Sequence, residues 1–223
     1  VAGGLGIAVD QLSKAPQVPD RRKPVSRVAI LRQGAYDNSL DRMLLDGLRL
    51  FGLNLAGKRV LLKPNLVESL PGLQVTTNPR LIGAAAAAFL EVGAASVSVG
   101  EGPGHQRDTY LILEDTGLCA ELKRRRVQFV DLNRDDPVRV PLRTRFTDLD
   151  SLWLPRTVLE SDVVVSMPKV KTHHWAGVTL SLKNMFGVLP GLAYGWPKNI
   201  LPWKGIDRSI LDVAATAPVH FVI

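Results

Sequence analysis

The chain contains 223 residues, of which 46% are hydrophobic, 22% charged and 6% aromatic. This is the composition of a globular protein, and it excludes collagen-like, coiled-coil and disordered classes. The one cysteine, Cys119, excludes an internal disulfide framework, a four-cysteine zinc site and an iron–sulfur cluster bound by this chain alone. No hydrophobic run reaches the roughly 18 residues that a membrane span needs.

The formal net charge of +7 favours negatively charged partners. The basic clusters 21–23 and 123–126 are typical of solvated surface, and the second suits the C-terminal end of a helix. The sequence shows no RNA-binding aromatic motif, zinc finger or basic zipper, so nucleic acid is not the favoured partner. We expect a small anionic ligand instead.

Residues 1–26 are predicted to precede the folded domain. The stretch 1–9 is small and apolar, and it fits either the remnant of an export signal or a frayed end. The stretch 11–23 is polar and contains prolines, as linkers do. Residues 27–223 are predicted to form a single α/β domain, and because the chain stops inside an apolar stretch, we expect this domain to be incomplete at its C-terminal end.

Within 27–223, short apolar runs alternate with segments of helical spacing. Ser39 can cap a helix, and Pro79 is a good first helical residue after Thr77 or Asn78. The predicted strands are 27–31, 59–62, 95–99, 127–130, 162–165 and 220–223, with short strands at 138–140 and 152–154. The predicted helices are 39–51, 79–92, 108–123, 178–186 and 207–215. This alternation predicts a mainly parallel, doubly wound sheet with helices on both faces.

Ligands of such sheets bind beyond the carboxyl ends of the strands, and three of these ends carry unusual residues. At the first, Lys63 and Asn65 flank a proline that fixes the exit turn, and both are predicted to contact the ligand. At the second, the run from Gly102 through Gly104 to His105 lets the backbone approach a ligand closely, and its amides favour an anion. This run lacks the spacing of the dinucleotide-binding fingerprint.

The third strand end gives the strongest signal. Between 163 and 206 the sequence has five lysines and two histidines but no Asp, Glu or Arg, so it cannot neutralise itself. Lys169, Lys171 and Asn184 are predicted to bind the anion. Lys183 is predicted to act covalently or as an acid–base group, with His173 or His174 moving protons near neutral pH.

Two further readings of this third region concern metals and aromatic residues. His105 with His173 or His174 lacks an obvious third ligand, so no metal site is predicted. The tryptophans at 175, 196 and 203 either wall a pocket, stack on a planar ligand or pack in the core.

The motifs Leu62–Asn65, Thr77–Pro79, Gly100–Gly104, Pro168–His173 and Ser181–Asn184, followed by Gly187, resemble domain-of-unknown-function family 362 over roughly residues 59–223. Members of this family are often described as uncharacterised iron–sulfur-centre proteins. The resemblance implies an α/β domain, and many members add a ferredoxin-like cysteine cluster that this chain lacks. Some members are exported with twin-arginine signals, so the resemblance leaves open either a prokaryotic cytoplasmic location or export with the signal removed.

A more remote similarity is to the nickel-pincer lactate racemase family. His173, the step Ala176–Gly177 and Lys183 follow the order of a His, an Ala-Gly step and a cofactor-bearing Lys in that family. Ser181 and Leu182 replace the paired glycines expected before the lysine, which speaks against a pincer cofactor. No cofactor is identified from the sequence.

Two functions remain open from the sequence. The first is an enzyme, isomerase- or racemase-like or associated with oxidoreduction, that binds a small anionic substrate or cofactor at the Lys/His-rich site. The second is a non-catalytic redox or cofactor-carrier module that works with a ferredoxin-like segment or a redox partner.

Overall fold

The computed structural model describes residues 26–69, 73–104, 108–195, 198, 201 and 204–223. Residues 31–223 form one compact unit. Its helices are α1 Ser39–Arg49, α2 Pro79–Glu91, α3 Thr109–Asp115, α4 Leu118–Arg125, α5 Arg156–Glu160, α6 Ser181–Asn184, α7 Gly191–Tyr194 and α8 Ile206–Thr216, with a 3₁₀ turn at Met185–Val188. Its strands are β1 Arg59–Pro64, β2 Ser96–Glu101, β3 Gln128–Asp131, β4 Pro137–Pro141, β5 Ser151–Pro155, β6 Val163–Met167, β7 Lys171–His173, β8 Gly177–Thr179 and β9 Phe221–Val222.

The central sheet has five strands in the order β3-β2-β1-β6-β9, and all of its neighbours are parallel. In the register, Leu62 of β1 lies between Val99 of β2 and Val165 of β6. The prediction of an α/β fold with a mainly parallel sheet is therefore confirmed. The order also brings the carboxyl ends of β1, β2 and β6 to one edge.

The sheet is covered on both faces, as the all-apolar strands predicted. Val60 and Leu62 belong to a core shared with α1, α2 and α4. Leu61, between them, belongs to a second core that contains residues of β5, α5 and α8. Because successive side chains of a strand point to opposite faces, this alternation shows helices packed on both sides.

The helix α2 begins and ends where the sequence predicted, and its capping contacts show why. The side-chain oxygen of Asn78 accepts a hydrogen bond from the Arg80 backbone N–H at 2.9 Å, and Pro79 occupies the first turn. The alanines of the run 84–88 are mostly buried. Gly93, just past the helix, has a positive φ of 110°, which agrees with the predicted end.

The strand predicted at 27–31 is wrong. The described residues 26–38 contain neither helix nor strand, and the side chains of Val28 and Ile30 are 81% and 85% exposed. An apolar run of this length carries no information about a pairing partner, and a strand needs one.

Two predicted helices also differ from the structure. The helix predicted at 108–123 is divided into α3 and α4 at Gly117, whose φ of 76° is not helical. The helix predicted at 178–186 is replaced by β8, α6 and the 3₁₀ turn. The short antiparallel strands β4 and β5 and the strand β9 were predicted correctly. No helix in the described part of the chain has the length and hydropathy to cross a membrane.

Candidate functional site

A cavity of about 540 Å³ opens at the carboxyl edge of β1 and β2, between these strand ends and the β7–β8 hairpin. Most of the predicted site residues line it, namely Asn65, Gly102, Gly104, Lys171, His173, His174, Lys183 and Asn184. Lys169 is not among the lining residues, and Lys63 lies behind them. His105, Trp196 and Trp203 lie outside the described residues.

Behind the cavity lies a buried ion pair. Lys63 of β1 is fully buried, and its ammonium donates to Glu101 Oε2 at 2.5 Å, the Pro64 carbonyl at 2.8 Å and Asn184 Oδ1 at 3.0 Å. Burial lowers the pKa of Lys63, and the Glu101 carboxylate opposes that shift. Three acceptors match the three N–H donors of an ammonium. Lys63 therefore has protein partners for every donor, and the sequence did not foresee this.

Asn184, at the end of α6, locks this ion pair to a third strand. Its side-chain amide donates to the Lys63 carbonyl and to Ser166 Oγ of β6, each at 3.0 Å. The Glu101 carboxylate also accepts from the backbone N–H groups of Leu66 and Gly102. We call Lys63, Glu101, Ser166 and Asn184 the floor of the cavity. The floor fastens β1, β2, β6 and α6 together.

The glycines beside the floor serve close packing. A Cβ atom on Gly187 would clash with Glu101 Oε1 and would lie 2.5 Å from Lys63 Nζ, well inside van der Waals contact. The amide of Gly102, predicted to bind an anion, donates instead to Glu101 Oε1 at 2.9 Å. Gly102 therefore lies at the cavity, but its N–H is not available to an anion because it is bonded to Glu101.

The β7–β8 hairpin places Lys171, His173 and Thr179 along the cavity. Its antiparallel register pairs Lys171 with Thr179 and His173 with Gly177, whose φ of 68° suits the turn. We call Asn65, Lys171, His173, Thr179 and Lys183 the wall of the cavity. At the tip of the hairpin, His174 stacks on His173, with 4.7 Å between ring centroids and 16° between planes.

Lys171 is half-buried and donates to the Val75 carbonyl. Burial, and next the charge of Lys183, lower the pKa of Lys171 to about 8. Burial, and next the charge of Lys63, also lower the pKa of Lys183. In the described part of the chain, no hydrogen bond or ion pair holds the Lys183 amine.

His173 is neutral at pH 7. Burial, and next the charge of Lys183, lower its pKa to about 4. Its Nδ1 accepts from the backbone N–H groups of Trp175 at 3.1 Å and Ala176 at 3.2 Å. The proton of the neutral ring therefore sits on Nε2, so His173 offers an N–H donor. The sequence predicted that His173 or His174 moves protons near neutral pH, and the pKa of His173 lies below that range.

Two polar atoms of the wall are buried without any hydrogen-bond partner among the described residues. These are Asn65 Oδ1 and Thr179 Oγ1, on side chains that are 9% and 1% exposed. Such atoms cost free energy in the folded state unless something satisfies them. Because both residues line the cavity, a ligand placed there can supply the missing partner.

Sequence reasoning missed Glu101, Lys198 and Thr179 as site residues. Lys198 is 5% exposed, donates to the carbonyls of Gly102 and Gly187, and burial lowers its pKa to about 7. The sequence offered a signal for Glu101, a single acid inside a glycine run directly after a strand. It offered none for Thr179, because the predicted helix at 178–186 concealed β8. The described residues hold no group of three or more His, Cys, Asp or Glu side chains suited to a metal ion.

The geometry defines an α/β protein with a lysine- and histidine-rich cavity at the carboxyl edge of a parallel sheet. The family profile described as Domain of unknown function (DUF362) matches residues 60–223, so the chain belongs to this family. The match confirms the resemblance that the sequence motifs indicated. It does not concern nickel-pincer lactate racemases, and that similarity stays a prediction.

The chain is 32% identical over 184 residues to the thylakoid-associated protein sll1697 of Synechocystis sp.. The alignment covers 77% of this chain and 53% of that protein, so the chain spans about half the length of the curated relative it matches. A crystal structure of a protein from Thermotoga maritima aligns at a TM-score of 0.45 and 16% identity, over 67% of this chain and 38% of that chain. The function of this chain therefore has to be inferred from its cavity.

Proposed function

We propose that the cavity binds a small organic anion and that the protein is an enzyme acting on it. The observation that carries the proposal is the charge of the wall. Lys171 and Lys183 both line the cavity, and no ion pair joins either amine to a carboxylate in the described part of the chain. Two carboxylates line the cavity: buried Glu101, which is already paired with Lys63, and half-buried Glu68, whose charge acts on Lys171.

The electrostatics of the wall favour an anion. Burial lowers the pKa of Lys171 and that of Lys183, and a neighbouring ammonium lowers each of them further, Lys183 for the first and Lys63 for the second. A negative group placed between the two amines offsets both effects, because it attracts each ammonium in a partly desolvated site. The N–H that His173 offers adds a neutral donor to the same wall.

The size and lining of the cavity point to an organic anion. A volume of about 540 Å³ lies within the range of about 300–1,000 Å³ that is typical of small-molecule sites. Leu66, Val75 and Phe186 add apolar surface beside the lysines. An inorganic ion alone would leave this surface uncovered, so the ligand has an acidic group and a carbon body.

The proposal is tested by calorimetric titration with inorganic phosphate, succinate and pyruvate at pH 7. Lys183→Gln or Lys171→Gln should weaken the binding of the best anion about tenfold or more, since a hydrogen bond to a charged group is worth about 1.5–3 kcal/mol. The matched control is Lys123→Gln, an exposed lysine of α4, which should leave the affinity unchanged.

Two results would contradict the proposal. One is that none of the three anions binds to the natural chain. The other is that Lys123→Gln weakens binding as much as the cavity variants do, which would mark a diffuse effect of the +7 charge. Binding without turnover of any organic anion would favour the non-catalytic carrier module over the enzyme.

A further inference from the structure

Three lysines line the cavity, and their amines are in different situations. The Lys171 amine donates to the Val75 carbonyl. The Lys198 amine donates to the Gly102 carbonyl at 2.7 Å and approaches the Gly187 carbonyl at 3.3 Å. The Lys183 amine has no hydrogen-bond partner among the described residues. Of the three, it is the amine whose nitrogen lone pair can turn freely toward a bound molecule.

The backbone that carries Lys183 is fixed by its neighbour in sequence. Asn184 donates to the Lys63 carbonyl and to Ser166 Oγ, and its own oxygen accepts from the Lys63 ammonium. This contact ties α6 to two strands of the sheet. The Lys183 side chain therefore starts from a rigid position, as a reacting group requires.

The surroundings also favour the neutral form of this amine. Lys183 is partly buried, and the Lys63 ammonium lies close enough to lower the pKa of Lys183 together with burial. A second cationic group beside a partly desolvated lysine is a known way to activate the amine as a nucleophile. Lys198 has a lowered pKa as well, but its amine is 5% exposed and is held by two carbonyls.

We propose that Lys183 forms a Schiff base with the carbonyl carbon of an oxo acid bound in the cavity. The inference rests on the proposed function and names its substrate class, because the carboxylate of the oxo acid is the anion that Lys171 attracts. Thr179, whose buried hydroxyl has no partner among the described residues, lines the same cavity.

The covalent step needs only a proton from the solvent. The neutral Lys183 amine adds to the carbonyl carbon, which forms the C–N bond, and one N–H proton moves to the carbonyl oxygen to give a hydroxyl. The hydroxyl then leaves as water with one proton taken from the solvent, the C–O bond breaks, and the nitrogen lone pair completes the double bond of a protonated imine. The imine carbon accepts hydride from cyanoborohydride, which is the added reductant in the test and converts the imine into a stable secondary amine.

The test is reductive trapping of the natural chain at pH 7 with pyruvate, oxaloacetate or 2-oxoglutarate and cyanoborohydride. Intact mass should show one fast adduct, and peptide mapping should place it on Lys183. Excess succinate, which has the carboxylates but no carbonyl, should slow the adduct by competing for the cavity. Lys183→Arg should abolish the fast adduct, whereas Lys123→Arg should retain it.

The failure of this inference can be distinguished from that of the proposed function. Succinate that binds while adducts form equally on exposed lysines, or on Lys171 or Lys198, overturns the assignment of Lys183 and leaves the anion site intact. If none of the three oxo acids forms an adduct, the assignment of Lys183 is overturned and the anion site is unaffected. Peptide mapping on the natural chain decides the question even where Lys183→Arg does not fold.

Discussion

The floor of the cavity is built from buried polar side chains and the wall from buried and half-buried ones, and the two differ in how those side chains are satisfied. In the floor, the Lys63 ammonium has three acceptors, and Glu101 accepts from an ammonium and two backbone N–H groups. In the wall, Lys183, Asn65 Oδ1 and Thr179 Oγ1 have no partner among the described residues. The protein itself supplies the partners that the polar groups of the floor need, and it leaves these three groups of the wall without one.

This difference separates stability from function within one site. A satisfied buried network fixes the strand ends, and its loss leaves an uncompensated charge. An unsatisfied wall costs stability in the free protein and becomes favourable when a ligand provides the partner. We therefore expect variants of the floor to unfold the protein, and variants of the wall to change binding.

The largest effect is expected in the floor. Glu101→Gln removes the negative partner of Lys63 and leaves a buried ammonium without a counter-charge. Breaking a buried ion pair from one side costs about 3–5 kcal/mol, and the free energy of unfolding from urea denaturation should fall by about that amount.

The control is the double variant Lys63→Met with Glu101→Gln. If the two residues stabilise the fold as a pair, the double variant should lose less than the sum of the single losses, by a coupling of about 0.5–3 kcal/mol. A loss below about 1 kcal/mol for Glu101→Gln would contradict the structural role of the floor, since exposed pairs lose that little.

A smaller effect of opposite sign is expected in the wall. Thr179→Val keeps the shape of the side chain and removes a hydroxyl that is 1% exposed and unpartnered. Removing such a group should raise the free energy of unfolding by about 1 kcal/mol, while the affinity for the bound anion falls. Thr147→Val is the matched control, because the Thr147 hydroxyl donates to buried Asp212 at 2.6 Å and its removal should destabilise the protein. A destabilised Thr179→Val variant would show that its hydroxyl is satisfied in the free protein.

The sheet could be predicted from the sequence because its strands and helices carry local signals. The apolar runs at 59–62 and 162–165 and the cap at Asn78 are readable within a few residues. The same rules gave a strand at 27–31 that does not form. A local pattern indicates that a segment is apolar, and pairing with a neighbouring strand is a property of the whole fold.

The charge pattern of the sequence located the site, but it did not show which charged side chains of the site pair with each other. The absence of acids between 163 and 206 led to Lys171 and Lys183, which do line the cavity. Lys63 was predicted as a ligand contact from its position at a strand end, yet it is paired with Glu101, 38 residues further along the chain. Only the strand order β2-β1 brings these two residues together. A sequence read without that order cannot separate a lysine that is satisfied by the protein from one that is available to a ligand.

The last expected effect concerns pH and acts in opposite directions on stability and on binding. The pKa of Lys171 is about 8 and that of Lys198 about 7, below the ordinary lysine value of 10.5. Between about pH 7 and 10.5, the unfolded chain holds protons on these amines that the folded chain has lost. The contribution of the two lysines to the free energy of unfolding therefore rises with pH across this window and levels off below it.

Anion binding should change in the reverse sense, because the same amines lose their positive charge as the pH rises from 7 to 9. The measurement pairs urea denaturation with succinate titration at pH 7, 8 and 9, for the natural chain and for Lys171→Gln. Relative to the variant, the natural chain should gain stability and lose affinity as the pH increases. If the natural chain and the variant show the same pH dependence of stability and of affinity, Lys171 keeps its charge throughout the range, and the wall is then satisfied in the same way as the floor.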